Sequence, residues 1–438
     1  MQPWLLLACL LCVGVGVGAA LSFASPASAQ HRRRLGVRVA GTRIQFQAAH
    51  WIATWGASPE ASVPGTLAAD GFANQTIRNV VFTSVGGTMV RVRFTNAFGT
   101  VPLEIGRAAI GPAGGGGPPA VGTSVPLAFD GRPSVLIPPG GEVVSDPAPL
   151  AVRALRALAV SVFLPGPTGP ATEHAVARQV NYVADGNHSL DGSGSAFTAQ
   201  DTSWFFIDAV DVLSRAASAG TIVALGDSIT DGVGSRTGAD ARWPNDLARR
   251  LDASGQAAIG VVDEGIAGNR VLSDPPCCGP SAVARFQTDV AERSGAREVI
   301  LLEGINDIGQ ARSDGPLTAP HADVSAAEII AGDEELIRDA HAAGLQIIGA
   351  TLTPFGKSVH WTAAGELKRA QVNNWILTSG AFDGVIEFAK AVADPADPQM
   401  LDPAYDSGDH IHPNDAGYLA MANAINLTML RRHERRAR

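Results

Sequence analysis

Thr221-Ile222-Val223-Ala224-Leu225-Gly226-Asp227-Ser228-Ile229-Thr230 decides the fold. Its first five residues are an apolar run too short for a helix. Small residues, Ala216 to Gly220, precede it, so it reads as a fully buried strand. The Asp-Ser-x-Thr-Asp cluster that follows is rich in helix-capping types. A strand that enters a helix through a tight glycine turn places the turn at the carboxyl edge of a parallel sheet. Ligands sit at that edge in open α/β folds. Ser228 would expose its hydroxyl there, beside helix N-terminal amides able to stabilise a developing anion.

Outward from this stretch the chain keeps the same rhythm. Leu225, Val262, Leu301, Ile348 and Ile386 are the centres of five strand-like runs. Trp243 to Ala253, Ala326 to Ala343, Thr362 to Thr378 and Asn414 to Leu430 carry helical patterns. Alternation of this kind predicts a parallel sheet with helices on both faces. Three further stretches carry chemistry. Gly265-Ile266-Ala267-Gly268-Asn269-Arg270 and Gly304-Ile305-Asn306-Asp307 each follow a buried-strand run and so fall on the same sheet edge as Ser228. Asp409-His410-Ile411-His412-Pro413 offers a carboxylate and an imidazole three residues apart, able to share one side of a turn. Each has a bland reading as well. Asn306 suits a helix cap, Gly268 a tight turn, and Pro413 a first helical position. Asp227 reads as structural, holding its turn by hydrogen bonds.

Taken together the four stretches resemble the SGNH/GDSL hydrolase (esterase/lipase) superfamily. Gly226-Asp227-Ser228-Ile229 resembles its first block, with Ile in place of the usual Leu. Gly268, Asn306 and Asp409-x-x-His412 fall where the remaining blocks place glycine, asparagine and the Asp/His pair. All four occur in the family's order, between about Thr221 and Leu430. The resemblance implies a flavodoxin-like three-layer α/β/α domain and acyl transfer without metal or cofactor. Ser228 would be the nucleophile, His412 the general base and later acid, and Asp409 the group that orients His412. The Ser228 and Gly268 amides and the Asn306 side chain would form the oxyanion hole. Phe355 and Trp361, after the fourth strand run, either line an acyl or alcohol pocket or simply pack.

The first half reads differently. Met89 to Asn96 alternates, with Val90, Val92 and Phe94 on one face and Arg91, Arg93 and Thr95 on the other. Leu103 and Ile105 alternate too, Leu158 to Leu164 is β-favouring, and Trp204 to Val212 would be a last strand. Frequent Gly and Pro turns predict an all-β sandwich, jelly-roll-like, with a Gly/Pro-rich loop at Gly111 to Pro119. Some SGNH esterases carry such an N-terminal domain, and Trp51-x-x-x-Trp55 with Ser58-Pro59 resembles their opening. Both tryptophans read as core or interdomain packing, with a carbohydrate platform as the alternative. The expected layout is a signal peptide at 1–29, a basic tail at 30–40, the sandwich at 41–215, the hydrolase domain at 216–432 and a basic tail at 433–438.

Leu5 to Leu21 is apolar and ends in Ala27-Ser28-Ala29, as in a cleaved secretory signal. The charge asymmetry is opposite to the usual one, because Arg32 to Arg34 follow the run and no Lys or Arg precedes it. An uncleaved anchor or a mis-assigned start is the alternative. A formal net charge of −9 argues against nucleic acid as a partner. Cys9 and Cys12 lie in the signal-like segment. Cys277 and Cys278 are adjacent, and are read either as a surface loop with free or locally paired thiols or as a redox device near the site. The expected function is a secreted serine esterase acting on small-molecule or polysaccharide esters, with no stable membrane partner. The alternative is a carbohydrate- or surface-binding protein with an inactive hydrolase domain.

Overall fold

The computed structural model describes residues 38–39, 42–43, 49–114, 121–310 and 315–431. The signal-like segment with Cys9 and Cys12, most of the basic tail at 30–40, part of the Gly111 to Pro119 loop and the tail at 433–438 lie outside these. By its internal contacts the chain divides into Met1–Phe46 and Gln47–Arg438. In the first unit, Arg38–Val39 pairs antiparallel with Thr42–Arg43.

Within the second unit, the strand-rich part is built on two larger antiparallel sheets. One has the order Glu142–Val144, Val90–Thr95, Ile207–Ser214, His50–Gly56. The other runs Ala199–Asp201, Asn181–Asp185, Gln75–Phe82, Ala157–Leu164, Arg107–Pro112, Val125–Pro126. Their inner faces share one core. Val90, Val92 and Phe94 from the first sheet meet Ile77, Val160 and Val162 from the second, all fully buried. The alternation has a direct cause, since successive strand side chains point to opposite faces. The outward Arg91 binds Asp211 and lies over the Trp51 ring. Trp55 is buried edge-on against Trp204 at 4.9 Å, so both tryptophans of the opening motif pack.

One strand differs from expectation. Trp204 to Val212 is broken at Phe206, whose φ of +59° interrupts the extended chain. Trp204–Phe205 pairs instead with Thr172–His174, and the sheet strand begins at Ile207.

The second part is a five-stranded parallel sheet. Its strands are β1 (Gly220–Gly226), β2 (Ile259–Gly265), β3 (Ala296–Leu302), β4 (Gln346–Ala350) and β5 (Gly384–Ile386), in spatial order β2-β1-β3-β4-β5. Every residue of β1 is buried, which explains its unbroken apolar run. The helices that matter for the site are α1 (Ser228–Asp231), α2 (Trp243–Ala253), α3 (Ala282–Phe286), α4 (Ile305–Gly309), α5 (Ala326–Ala342), α6 (Ala363–Thr378) and α7 (Asp415–Ala424). α2 packs on α7, and α5 on α6, completing a three-layer α/β/α arrangement. α5 starts with a reciprocal capping box between Ser325 and Glu328. α7 is shorter than its sequence pattern. Asn414 caps it, so Pro413 precedes the cap rather than opening the helix, and Ile425 leaves the helix with ψ 119°. Phe355 is fully buried in the core, which settles it as packing.

Strand order reverses between β1 and β3, and the crevice beyond the carboxyl ends of such a pair is the ligand-binding place in doubly wound sheets. α1 leaves β1 there and α4 leaves β3 there.

Candidate active site

Asp227 sets the first element. As N-cap of α1, its Oδ1 accepts the Ile229 N–H at 2.9 Å, which fixes Ser228 at the first helical position. Burial pushes the Asp227 carboxyl up to about 7. The hydroxyl of Ser228 donates to His412 Nε2 at 2.8 Å. On the other side of the ring, His412 Nδ1 lies 2.6 Å from Asp409 Oδ2. A carboxylate can only accept, so Nδ1 carries the proton and Nε2 is left as the acceptor for Ser228.

Asp409 is shaped for that task. Its Oδ1 accepts the backbone N–H groups of Ile411 and His412 at 3.1 and 2.9 Å. Partial burial works against its charge, but the bonds from the His412 ring and from these amides outweigh it. They hold the carboxyl well below the usual range. The neighbouring histidine goes elsewhere: His410, at φ +66°, turns its Nδ1 to Asp406 Oδ2 at 2.6 Å. Only one of the two histidines in Asp409-His410-Ile411-His412 therefore reaches the serine.

The remaining two blocks approach from the flanking strands. Gly268 follows β2 with φ +80°, and a Cβ on it would lie 2.6 Å from Cys278 Sγ. Both facts demand glycine. Asn306 sits in α4 after β3 and is buried; its Nδ2 donates to the Asn269 carbonyl at 3.0 Å. Among the described residues, neither the Ser228 nor the Gly268 backbone N–H donates within the chain. Both remain available to an incoming oxygen.

The GDSL-like lipase/acylhydrolase family model matches residues 224–420, the span that holds all four blocks. Residues 224–420 are a GDSL-like hydrolase domain, that of a carboxylic ester hydrolase. No curated protein matches the chain. Similar solved structures include a member of the lipolytic G-D-S-L family from Veillonella parvula. It is 20% identical, with 47% of this chain and 96% of that one covered and a TM-score of 0.34. A GDSL-like lipase from Bacteroides thetaiotaomicron is 17% identical over 48% and 88% of the two chains, with a TM-score of 0.35. An acetylxylan esterase from Geobacillus stearothermophilus is 21% identical over 48% and 94%, with a TM-score of 0.36.

Several residues that support the GDSL-like domain carry no local signal in the sequence. Asp307 accepts the Val271 and Leu272 amides at 2.9 and 3.2 Å, tying α4 to the loop that presents Gly268. Burial raises its carboxyl to about 6. Arg285 of α3 donates to the Gly226 and Glu264 carbonyls, to Asn269 Oδ1 and to Ser58 Oγ. One buried guanidinium thereby joins the ends of β1 and β2. His360, in the loop after β4, packs against Gly309 of α4; burial, and then His412, hold its imidazole below the ordinary value. Cys277 and Cys278 form a disulfide, with Cys278 buried behind Gly268. Among the described residues, no group of three or more His, Cys, Asp or Glu side chains is arranged to hold a metal ion. No described helix is long and apolar enough to cross a membrane.

Proposed function

We propose that the chain is a secreted serine esterase that hydrolyses carboxylic esters through a covalent acyl-enzyme on Ser228. The single observation that carries this reading is the continuous line from Ser228 Oγ to His412 to Asp409, at 2.8 and 2.6 Å. A serine hydroxyl is a weak nucleophile until a base removes its proton. In this reading Ser228 Oγ attacks the ester carbonyl while His412 Nε2 takes its proton. The oxygen gains negative charge and is met by the Ser228 and Gly268 amides and the Asn306 side chain. Collapse expels the alcohol, which receives the proton from His412. Water then repeats the sequence on the acyl-enzyme and releases the acid and free Ser228. Asp409 holds the productive tautomer and balances the imidazolium.

Acetyl groups on carbohydrate, and short-chain or lipid esters, are the proposed substrates. Export is supported by the Ala27-Ser28-Ala29 site and by the Cys277–Cys278 disulfide, since disulfides persist in oxidising compartments. The test is hydrolysis of a p-nitrophenyl ester series, acetyl through long acyl, beside acetylated xylan, by wild type and Ser228→Ala. Turnover that vanishes in the variant is expected, and the chain-length profile separates deacetylase from lipase. No turnover of any ester by wild type would sink the reading.

A further inference from the structure

An asparagine amide serves an oxyanion only if its NH2, not its carbonyl, faces the pocket. The two orientations differ little in shape, so neighbours must choose between them. Two neighbours choose here, the Asn269 carbonyl and the side chain of Gln310, which lies one residue past α4. Gln310 Nε2 donates to Asn306 Oδ1 at 3.1 Å, and its Oε1 accepts from Arg270 Nη2 at 2.7 Å. Arg270, Gln310 and Asn306 are 4%, 7% and 6% exposed, so water does not compete for these bonds.

The polarity of this chain is forced from both ends. A guanidinium only donates, so the Gln310 atom facing Arg270 must be its oxygen. The Gln310 NH2 must then face Asn306, and the atom it meets there must be Oδ1. At the far end the Asn269 carbonyl only accepts, which again demands Nδ2 of Asn306 on that side. One Nδ2 hydrogen is used by Asn269, and the second remains for the substrate oxygen. Arg270 itself is anchored by the Thr318 carbonyl at 2.6 Å and by Ser273 Oγ.

We infer that Gln310, polarised by Arg270, is a positioning residue that sets the orientation of the Asn306 amide. This rests on the esterase reading above. A glutamate at 310 would still accept from Arg270, but its second oxygen could not donate. Two acceptors would then face each other, and Asn306 could escape the clash only by breaking its bond to the Asn269 carbonyl. Shifted or turned over, its NH2 would no longer meet the developing oxyanion.

The test is a double-mutant cycle on p-nitrophenyl acetate with wild type, Gln310→Glu, Asn306→Ala and the pair. Gln310→Glu is expected to lower kcat roughly a hundredfold, as loss of an oxyanion donor does, with KM within about threefold. In the Asn306→Ala background the same substitution is expected to cost little more, because it acts only through that amide. Gln310→Met, which keeps the volume and adds no charge, runs through the same cycle if Gln310→Glu folds poorly. A merely structural role would make the losses multiply, and that outcome overturns the inference, as does a kcat within threefold of wild type. A wild type inert on all esters removes the esterase reading and this inference with it. An active wild type, silenced by Ser228→Ala but indifferent at 310, removes this inference alone.

Discussion

Two histidine–carboxylate pairs contact opposite ends of the four-residue helix α1. His412, backed by Asp409, meets its first residue, Ser228. His174 meets its last, Asp231, at 3.1 Å. The partners are chemically alike, yet their environments differ. The His174 ring faces acceptors on both sides, Asp231 through Nε2 and the Ser58 carbonyl through Nδ1 at 2.9 Å, and Glu60 is nearby. It is buried, and burial alone would discharge it. The charges of Asp231 and Glu60 and the bond to Ser58 outweigh that and lift it to about 9. His174 is thus a fixed imidazolium that fastens the strand-rich part to α1. His412 has an acceptor on one side only. Its other nitrogen faces a hydroxyl that can donate. A histidine beside an aspartate is a structural cation or a base according to what its second nitrogen meets.

The largest effects should fall on the His412 side. Ser228→Ala and Asp409→Asn are each expected to lower kcat on p-nitrophenyl acetate by about 10⁴-fold or more, the latter by reversing the tautomer. Thermal midpoints should barely move, because the Asp409 side chain is 49% exposed and Ser228→Ala removes only one hydroxyl. A large fall in midpoint with modest loss of kcat would make this pair structural and break the contrast. Gly268→Ala comes next. The strained φ and the contact with Cys278 should misplace one oxyanion amide, costing roughly 10²–10³ in kcat.

On the other side the readouts exchange places. His174→Gln leaves Asp231 and Glu60 buried without their cation, which should destabilise the fold by ~3–5 kcal/mol in denaturant melts. The kcat of the remaining folded protein should stay within a few-fold of wild type. A selective loss of kcat at unchanged stability would give His174 a part in the chemistry.

The smallest expected effect is a slope with pH. The folded-state pKa of His174 is raised, so its contribution is complete below about 6.5 and fades as pH rises through about 9. Glu60, raised to about 7 chiefly by burial and only partly offset by His174, acts in the same direction between about 4.5 and 7. Stability of wild type should therefore fall from pH 6.5 to 9. A flat profile over that range would contradict the assignment of a charged His174.

The contrast also explains what could be read from the chain alone. The parallel sheet was legible because β1 to β3 are buried runs, each followed by a glycine-containing turn. Ser228, Gly268 and Asn306 could be set on one edge because each follows such a run. Asp409 and His412 are close in sequence, so their pairing needs only one turn. His174–Asp231, Arg285 with the end of β1, and Gln310 with Arg270 join residues 57, 59 and 40 positions apart. No local pattern encodes partners at that distance. The missed boundaries have local causes: a left-handed φ at Phe206 splits one strand, and the cap at Asn414 with the exit at Ile425 shortens α7. Phe355 was ambiguous because a phenylalanine after a strand serves a pocket wall or a core equally well.

The most direct measurement is intact-mass and peptide mapping after exposure to a p-nitrophenyl alkylphosphonate, which traps an activated serine as a stable adduct. One adduct is expected, on Ser228, formed rapidly by wild type and by His174→Gln but not by His412→Ala. No adduct, or one on a different serine, would contradict the assignment of Ser228 and His412 as nucleophile and base.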